Sequence, residues 1–210
     1  MEKKRVYCFV DGFNLFHAID DLCPKNNRLK WVDLVELTKA FIIPSTEELK
    51  AVYYFSAYPT WLPQSHKVHK KYVRALQATG VFPVMGRFKE KKRLCRAECR
   101  KNWISHEEKE SDVNLALYIL HHAHLGNYDK AIIVTADSDL CPAINLLRSN
   151  FPDKDTMILI PPNRYSIARE FRRNVPTKKI KIKHIQANLL PNEVYDSNRK
   201  ITITIPHKYK

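Results

Sequence analysis

Glycine occurs only four times in 210 residues, at Gly12, Gly80, Gly86 and Gly126. No two are spaced to build a G-x-G-x-x-G turn, a G-x-x-x-x-G-K loop or a G-x-S-x-G elbow, so dinucleotide enzymes, P-loop NTPases and typical serine hydrolases find no support. Long apolar runs are missing as well. Behind Lys3-Lys4-Arg5 the stretch from Val6 to Val10 stops at Asp11, too short for a signal peptide, and nothing else approaches membrane-spanning length. Cysteine is sparse and odd in number, five in a chain long enough to bury a core. That speaks against a secreted disulfide framework and for a reducing cytoplasm, with no membrane partner.

Acidic charge is the scarcer sign, 22 Asp and Glu against 36 Lys and Arg, for a net charge of +14. The excess is uneven. Between Arg87 and Lys101 lie Arg87, Lys89, Lys91, Lys92, Arg93, Arg96, Arg100 and Lys101 against Glu90 and Glu98, a net +6. Between Arg164 and Lys183 lie eight cations, Arg172 and Arg173 among them, against Glu170 alone, a net +7. Two basic stripes of this kind suit a polyanion, and nucleic acid is the natural one. Arg87, Lys91, Lys92, Arg93, Arg172 and Arg173 are the candidate strand-binding residues.

Apolar spacing gives the element order. Residues 5–10 read as a strand and 31–41 as the helix that follows it; 49–58 is a second buried strand, 64–79 a helix closed by Gly80, and 81–88 a third strand. A basic loop over about 87–110 precedes a helix from Ser111, in which Val113, Ala116, Leu117 and Leu120 share one face. Residues 131–136 (AIIVTA) form the strongest strand, with Leu140, Ala143, Ile144 and Leu147 in the helix behind it. A strand at 157–160, a helix at 166–173 and a short strand at 180–185 follow, and Ile201, Ile203 and Ile205 alternate as an edge strand. Strands alternating with helices predict an α/β fold, a mainly parallel sheet with helices on both faces.

In such a sheet ligands bind at the carboxyl ends of the strands. Asp11 ends the first strand, Asp137 ends the AIIVTA strand, Asp139 opens the helix behind it, and Asp112 sits in the first turn of the Ser111 helix. Four carboxylates converging on one edge repel, and a hard divalent ion, Mg²⁺ or Mn²⁺, neutralises them. Such an ion activates water against a phosphoryl group. With the basic stripes, the acidic group points to hydrolysis of a phosphodiester.

Three motifs carry a family resemblance: Phe9-Val10-Asp11-Gly12-Phe13-Asn14-Leu15, Glu108-Lys109-Glu110-Ser111-Asp112-Val113, and Val134-Thr135-Ala136-Asp137-Ser138-Asp139-Leu140. In this order and spacing the chain resembles the NYN domain, a branch of the PIN-like nuclease superfamily, from Lys4 to about Ile185. The tail from 186 to 210 is similar to the C-terminal extension of longer bacterial members, which divides the chain into a nuclease domain over 1–185 and an extension. The resemblance implies a PIN-like Rossmannoid fold and metal-dependent cleavage of RNA. It implies that Asp11, Asp112, Asp137 and Asp139 are the acidic positions, that Asn14 supports the first aspartate, and that Lys109 stands at the basic position, able to balance charge or touch phosphate. The small residue before the last aspartate motif, often Gly in the family, is Ala136. PIN-like sheets often leave an edge for self-association, although no apolar helix face demands a homo-oligomer. Some members of the family are hydroxylases of a pyridine compound, so membership alone does not fix the reaction.

Cys95, Cys99 and His106 are spaced to hold Zn²⁺ with a fourth ligand from elsewhere, or Cys95 and Cys99 stand as two free thiols in a basic loop. Cys8 and Cys141 lie on apolar segments and read as core. Trp61, Trp103, Tyr58 and Tyr165 sit near loops or basic segments, as core aromatics or as stacking platforms for unpaired bases. None of His66, His69, His121, His122 and His124 is assigned to catalysis. Beside the ribonuclease stand an RNA-binding module with a silent site, the hydroxylase, and a D-x-D transferase or phosphatase. The transferase leaves Asp11 and Asp112 unexplained. The phosphatase needs a partner Asp two residues after the nucleophile, where Phe13 stands.

Overall fold

The structure is a computed structural model that describes residues 2–22, 26–94 and 102–210. Its centre is a seven-stranded sheet built from β1 (Lys4–Asp11), β2 (Glu47–Ala57), β3 (Val81–Leu94), β4 (Asn102–Lys109), β5 (Lys130–Val134), β6 (Asp155–Ile160) and β7 (Thr177–Lys179), in the order β4-β3-β2-β1-β5-β6-β7. All neighbours run parallel except β3 and β4. The sequence expectation of a mainly parallel α/β sheet holds.

Alternation along β1 divides the core. Val6, Cys8 and Val10 face one layer, packed by α1 (Gly12–Leu22), α2 (Leu34–Lys39) and α3 (Pro63–Ala78); Phe9 faces the other, packed by α4 (Ser111–His124), α5 (Cys141–Asn150) and α6 (Arg169–Asn174). Burial on both faces explains why these strands read as near-continuous apolar runs. No helix among the described residues is long and apolar enough to cross a membrane.

Four sequence expectations need correction. The helix after β1 is α1, starting at Gly12 without a spacer, and the 31–41 segment supplies only the shorter α2. Asp-Gly reads as a turn in sequence, whereas here it passes straight from strand into helix. The basic stretch is not a loop: β3 continues past the sheet edge through Leu94 and pairs antiparallel with β4, Arg87 opposite Lys109 and Leu94 opposite Asn102. The 180–185 stretch is not a strand, since β7 lies earlier and Ile182–Ala187 forms α7, burying Ile185. Ile201–Thr204 forms β9, which pairs with β8 (Glu193–Asp196) in a separate hairpin instead of at an edge of the main sheet.

Residues beyond 186 pack into the same core as α1, α2 and α3. Trp31 is fully buried; its indole Nε1 donates to Pro191 O at 2.9 Å, its carbonyl accepts from Leu190 N at 2.9 Å, and its ring centroid lies 6.4 Å from that of Tyr209. Trp31→Ala is expected to lower unfolding free energy by about 3–5 kcal/mol, because a large cavity and an unpaired carbonyl replace the indole. A urea titration checks this, and a loss below about 1 kcal/mol would show that the tail does not depend on Trp31.

Candidate acidic site

The chain runs from β1 outward through β2 and β3, then returns to place β5 on the other side of β1. Sheets of this kind take ligands where the strand order reverses, here at the carboxyl ends of β1 and β5. Asp11 is the last residue of β1, and Asp137 and Asp139 follow directly on β5. Because β3 overshoots the sheet and β4 comes back, α4 also begins at this edge and brings Asp112 to it. The turn into α4 is tight. Glu110 adopts a left-handed conformation at φ 79°, costing about 1–2 kcal/mol for a residue with a side chain, and Arg87 Nε pairs with its carboxylate at 2.7 Å. Gly86 admits the approach, since a Cβ there would lie 2.6 Å from Lys109 O.

Asp11 is 7% exposed and held on both oxygens: Asn14 N donates to Oδ1 at 2.9 Å, and Thr135 Oγ1 donates to Oδ2 at 3.0 Å. Asn14 then accepts from Ala136 N through Oδ1 at 3.1 Å, and Thr135 Oγ1 accepts from Asp137 N at 3.0 Å. Asp137 Oδ1 in turn accepts from Asp139 N at 3.0 Å and caps the short helical turn at 138–140. A continuous chain of hydrogen bonds thus fixes three of the acidic positions and Asn14 against one another.

Burial pushes Asp11 up to about 7, Asp112 and Asp137 adding to it against the two hydrogen bonds. Asp112 is raised by desolvation, then by Asp137 and Asp139. Among the described residues no Lys, Arg or His forms an ion pair with any of the four aspartates. Glu108, near the end of β4, joins them unforeseen. Burial pushes it up to about 7, Asp11 and Asp112 adding to this against the neighbouring Ser111 hydroxyl, and as placed neither Glu108 Oε1 nor Ser111 Oγ completes a hydrogen bond. In the sequence Glu108 sits inside the second motif, but only the return of β4 places it beside Asp11. Buried carboxylate oxygens normally carry a partner, and a divalent ion with its waters could supply the charge and the donors this group lacks. The donors are all hard oxygens, the set that Mg²⁺ and Mn²⁺ take. With the side chains as they stand, no three His, Cys, Asp or Glu groups among the described residues are close enough to enclose an ion.

The basic residues separate into two groups flanking this edge. Lys109 Nζ pairs with Glu107 at 3.3 Å, as does Lys91 Nζ at 3.3 Å, and Arg93 bonds the same carboxylate, while Lys109 makes no ion pair with the aspartates. Arg87 and Lys92 are exposed on the same arm. On the other side, Arg172 and Lys179 stack on the Tyr165 ring at 4.3 and 3.6 Å, with Arg173 exposed beside them on α6. Of the candidate zinc ligands, Cys95 and Cys99 lie outside the described residues. The His106 ring stacks on Trp61 at 3.7 Å and 5°.

The arrangement is an acidic group at the switch point of a mainly parallel α/β sheet, with cations on the β3–β4 arm and on α6. The NYN domain matches residues 5–183, and the chain belongs to that family, within the PIN-like nuclease superfamily. It is also similar to a 6-hydroxy-3-succinoylpyridine 3-monooxygenase of Pseudomonas putida, 28% identical over 183 residues that cover 71% of this chain and 57% of the relative. The chain therefore spans a little over half the length of that relative. A crystal structure of a protein of unknown function from Vibrio parahaemolyticus shares the fold, with a TM-score of 0.60 at 15% identity over 90% of this chain and 98% of that one.

Carboxyl groups raised in the folded state bind protons more tightly there than in the unfolded chain. The stability they confer is complete below their ordinary values of 3.8 and 4.5 and is lost as pH rises through about 7. His69, lowered to about 4, works the other way between pH 4 and 6.5, so a difference between variants isolates Asp11. In chelator, the Tm of Asp11→Asn minus that of wild type is expected to climb by roughly 5 °C between pH 5 and pH 8. A difference independent of pH, read by differential scanning calorimetry, would mean that Asp11 is ionised throughout.

Proposed function

We propose that this protein is a metal-dependent ribonuclease that hydrolyses RNA phosphodiester bonds at the acidic crevice. The observation that carries the reading is the buried, unneutralised Asp11 carboxylate, coupled to Asp112 and Asp137 at the switch point of the sheet. Asp11, Asp112, Asp137 and Asp139 would hold one or two Mg²⁺ or Mn²⁺ ions. When bound, such an ion polarises a phosphoryl oxygen and lowers the pKa of its water. Asn14 is a positioning residue, because its backbone N–H orients Asp11 while its side chain fixes Ala136 at the start of the last acidic motif.

The chain's cations do the holding. Arg87, Lys91, Lys92 and Arg93 on the arm and Arg172 and Arg173 on α6 flank the crevice from opposite sides, which suits a strand laid across the carboxyl edge. Lys109, held on the arm by an exposed ion pair with Glu107, adds a further cation for phosphate. The relative's name favours a second reading, monooxygenation of a pyridine compound with O₂ as the oxidant and an added reductant. It requires a bound redox group, which the absorption spectrum of the purified protein would reveal.

End-labelled single-stranded RNA incubated with Mn²⁺ is expected to yield fragments that chelator abolishes. Asp137→Asn and Asp112→Asn should each slow cutting by about a hundredfold or more while leaving RNA binding in place. Unchanged cutting by both variants would refute the assignment, and binding without cutting in wild type would favour a silent RNA-binding module.

A further inference from the structure

A cavity of about 340 Å³ opens one residue along the chain from Asp11. Gly12 and Phe13 form part of its wall, and Gly12 is required there, since a Cβ would meet the Tyr54 ring at 2.5 Å and Phe55 O at 2.7 Å. The acidic crevice and the cavity therefore share the β1–α1 junction. The volume lies at the lower end of ordinary small-ligand sites, roughly 300–1,000 Å³, room for a ring system and little more.

The lining is chiefly aromatic. Trp61 meets Phe88 edge to face at 4.5 Å, Phe88 meets Phe13 in the same way at 5.4 Å, and the buried Tyr54 closes the inner end. Trp61 is held flat. His106, which is not part of the lining, stacks on the indole at 3.7 Å and 5° from outside the cavity. Such a backed indole offers a rigid face on which a planar ring stacks at little entropic cost.

Polar groups sit at the buried end. The Ser56 hydroxyl, 1% exposed, lies 3.4 Å from His69 Nε2, which is 3.2 Å from Tyr54 Oη. Burial keeps the His69 imidazole neutral, at about 4, so this end offers hydrogen-bond donors and acceptors without fixed charge. A carboxylate or ammonium would be desolvated there without a counterion, whereas the edge of a neutral heterocycle would be matched. The one Lys or Arg in the lining is the exposed Lys208, contributed with Tyr209 by the C-terminal residues.

We propose that this cavity binds one planar nitrogen heteroaromatic ring, stacked on Trp61 and hydrogen-bonded at its edge by Ser56 and His69, beside the acidic crevice. On the ribonuclease reading, the ring is the base of the nucleotide next to the phosphate at Asp11, turned out of the strand. That identity rests on the ribonuclease reading; the ring site itself does not. A base held there sets which phosphate reaches the carboxylates, so the cavity positions the cut along a single strand.

The test has two arms, each run on wild type, Trp61→Ala and the cavity-filling Ser65→Phe. In the first, short single-stranded RNAs carrying one abasic position each are titrated in chelator and followed by fluorescence anisotropy. Abasic substitution at one position is expected to weaken wild-type binding about tenfold and to add nothing further in either variant. In the second, adenosine, uridine and nicotinamide, all uncharged ring compounds, are titrated by isothermal calorimetry. Binding of any of them that both variants lose supports the ring site. If RNA is neither bound nor cut while a free ring compound binds in this way, the ring site stands and the ribonuclease reading falls. If RNA is bound and cut but neither abasic positions nor the two variants alter binding, and no free ring is held, the ring site falls and the nuclease stands. Loss in Ser65→Phe alone also overturns stacking on Trp61.

Discussion

The site is organised by one carboxylate taken out of water at the end of the central strand. Asp11 receives hydrogen bonds from Asn14 N and Thr135 Oγ1, and so ties the start of α1 to the segment leaving β5 across the switch point. Those two bonds help the charge without replacing the water it has lost, and Asp112 and Asp137 add to the penalty. A fold that keeps such a group in place stores an electrostatic debt that a bound cation can discharge. The same geometry carries the positions that matter for chemistry: Asp137 through Thr135, Asp139 through Asp137, and Ala136 through Asn14.

The rest of the fold is arranged around that junction. The overshoot of β3 and the return of β4 carry α4, Asp112 and Glu108 to the edge where β1 ends. Arg87 on the arm holds the strained Glu110, and Glu107 collects Lys91, Arg93 and Lys109, so part of the positive charge stiffens the arm while Lys92 stays exposed. On the far side, Tyr165 orders Arg172 and Lys179. The tail, anchored on Trp31, brings Lys208 and Tyr209 round to the aromatic cavity and links the end of the chain to the strand that begins it.

Much of this is legible in the amino-acid sequence. The four aspartates fall at one edge because parallel strands must end and crossover helices begin there, a rule that needs only the element order. The segments that misread share a physical cause: their structure depends on partners far away in sequence. The β3 half of the arm, 87–94, is charged at six of eight positions, with no apolar alternation to mark a strand, and the arm is held by cross-strand ion pairs between residues 14 or more positions apart. Ile180, Ile182 and Ile185 are interspersed with lysines as a strand would be, yet the last two fall in a six-residue helix that buries Ile185 against the core. Glu108, although it lies inside the second motif, and His69 are not legible as site residues for the same reason, since each is brought to its place by a strand or helix packed from elsewhere. Membership of the NYN family places the chain in the PIN-like nuclease superfamily, and the roles proposed for single residues are argued from the geometry.

The central claim is that the Asp11 group is built to exchange protons for a divalent cation. Calorimetric titration of Mn²⁺ at pH 6.5, repeated in buffers of different ionisation enthalpy, counts the protons released on binding. Carboxyls raised to about 7 at Asp11 and Glu108 predict release of about one proton or more per ion, lost or halved in Asp11→Asn. Absence of Mn²⁺ binding, or binding that releases no proton and is indifferent to Asp11, would contradict it.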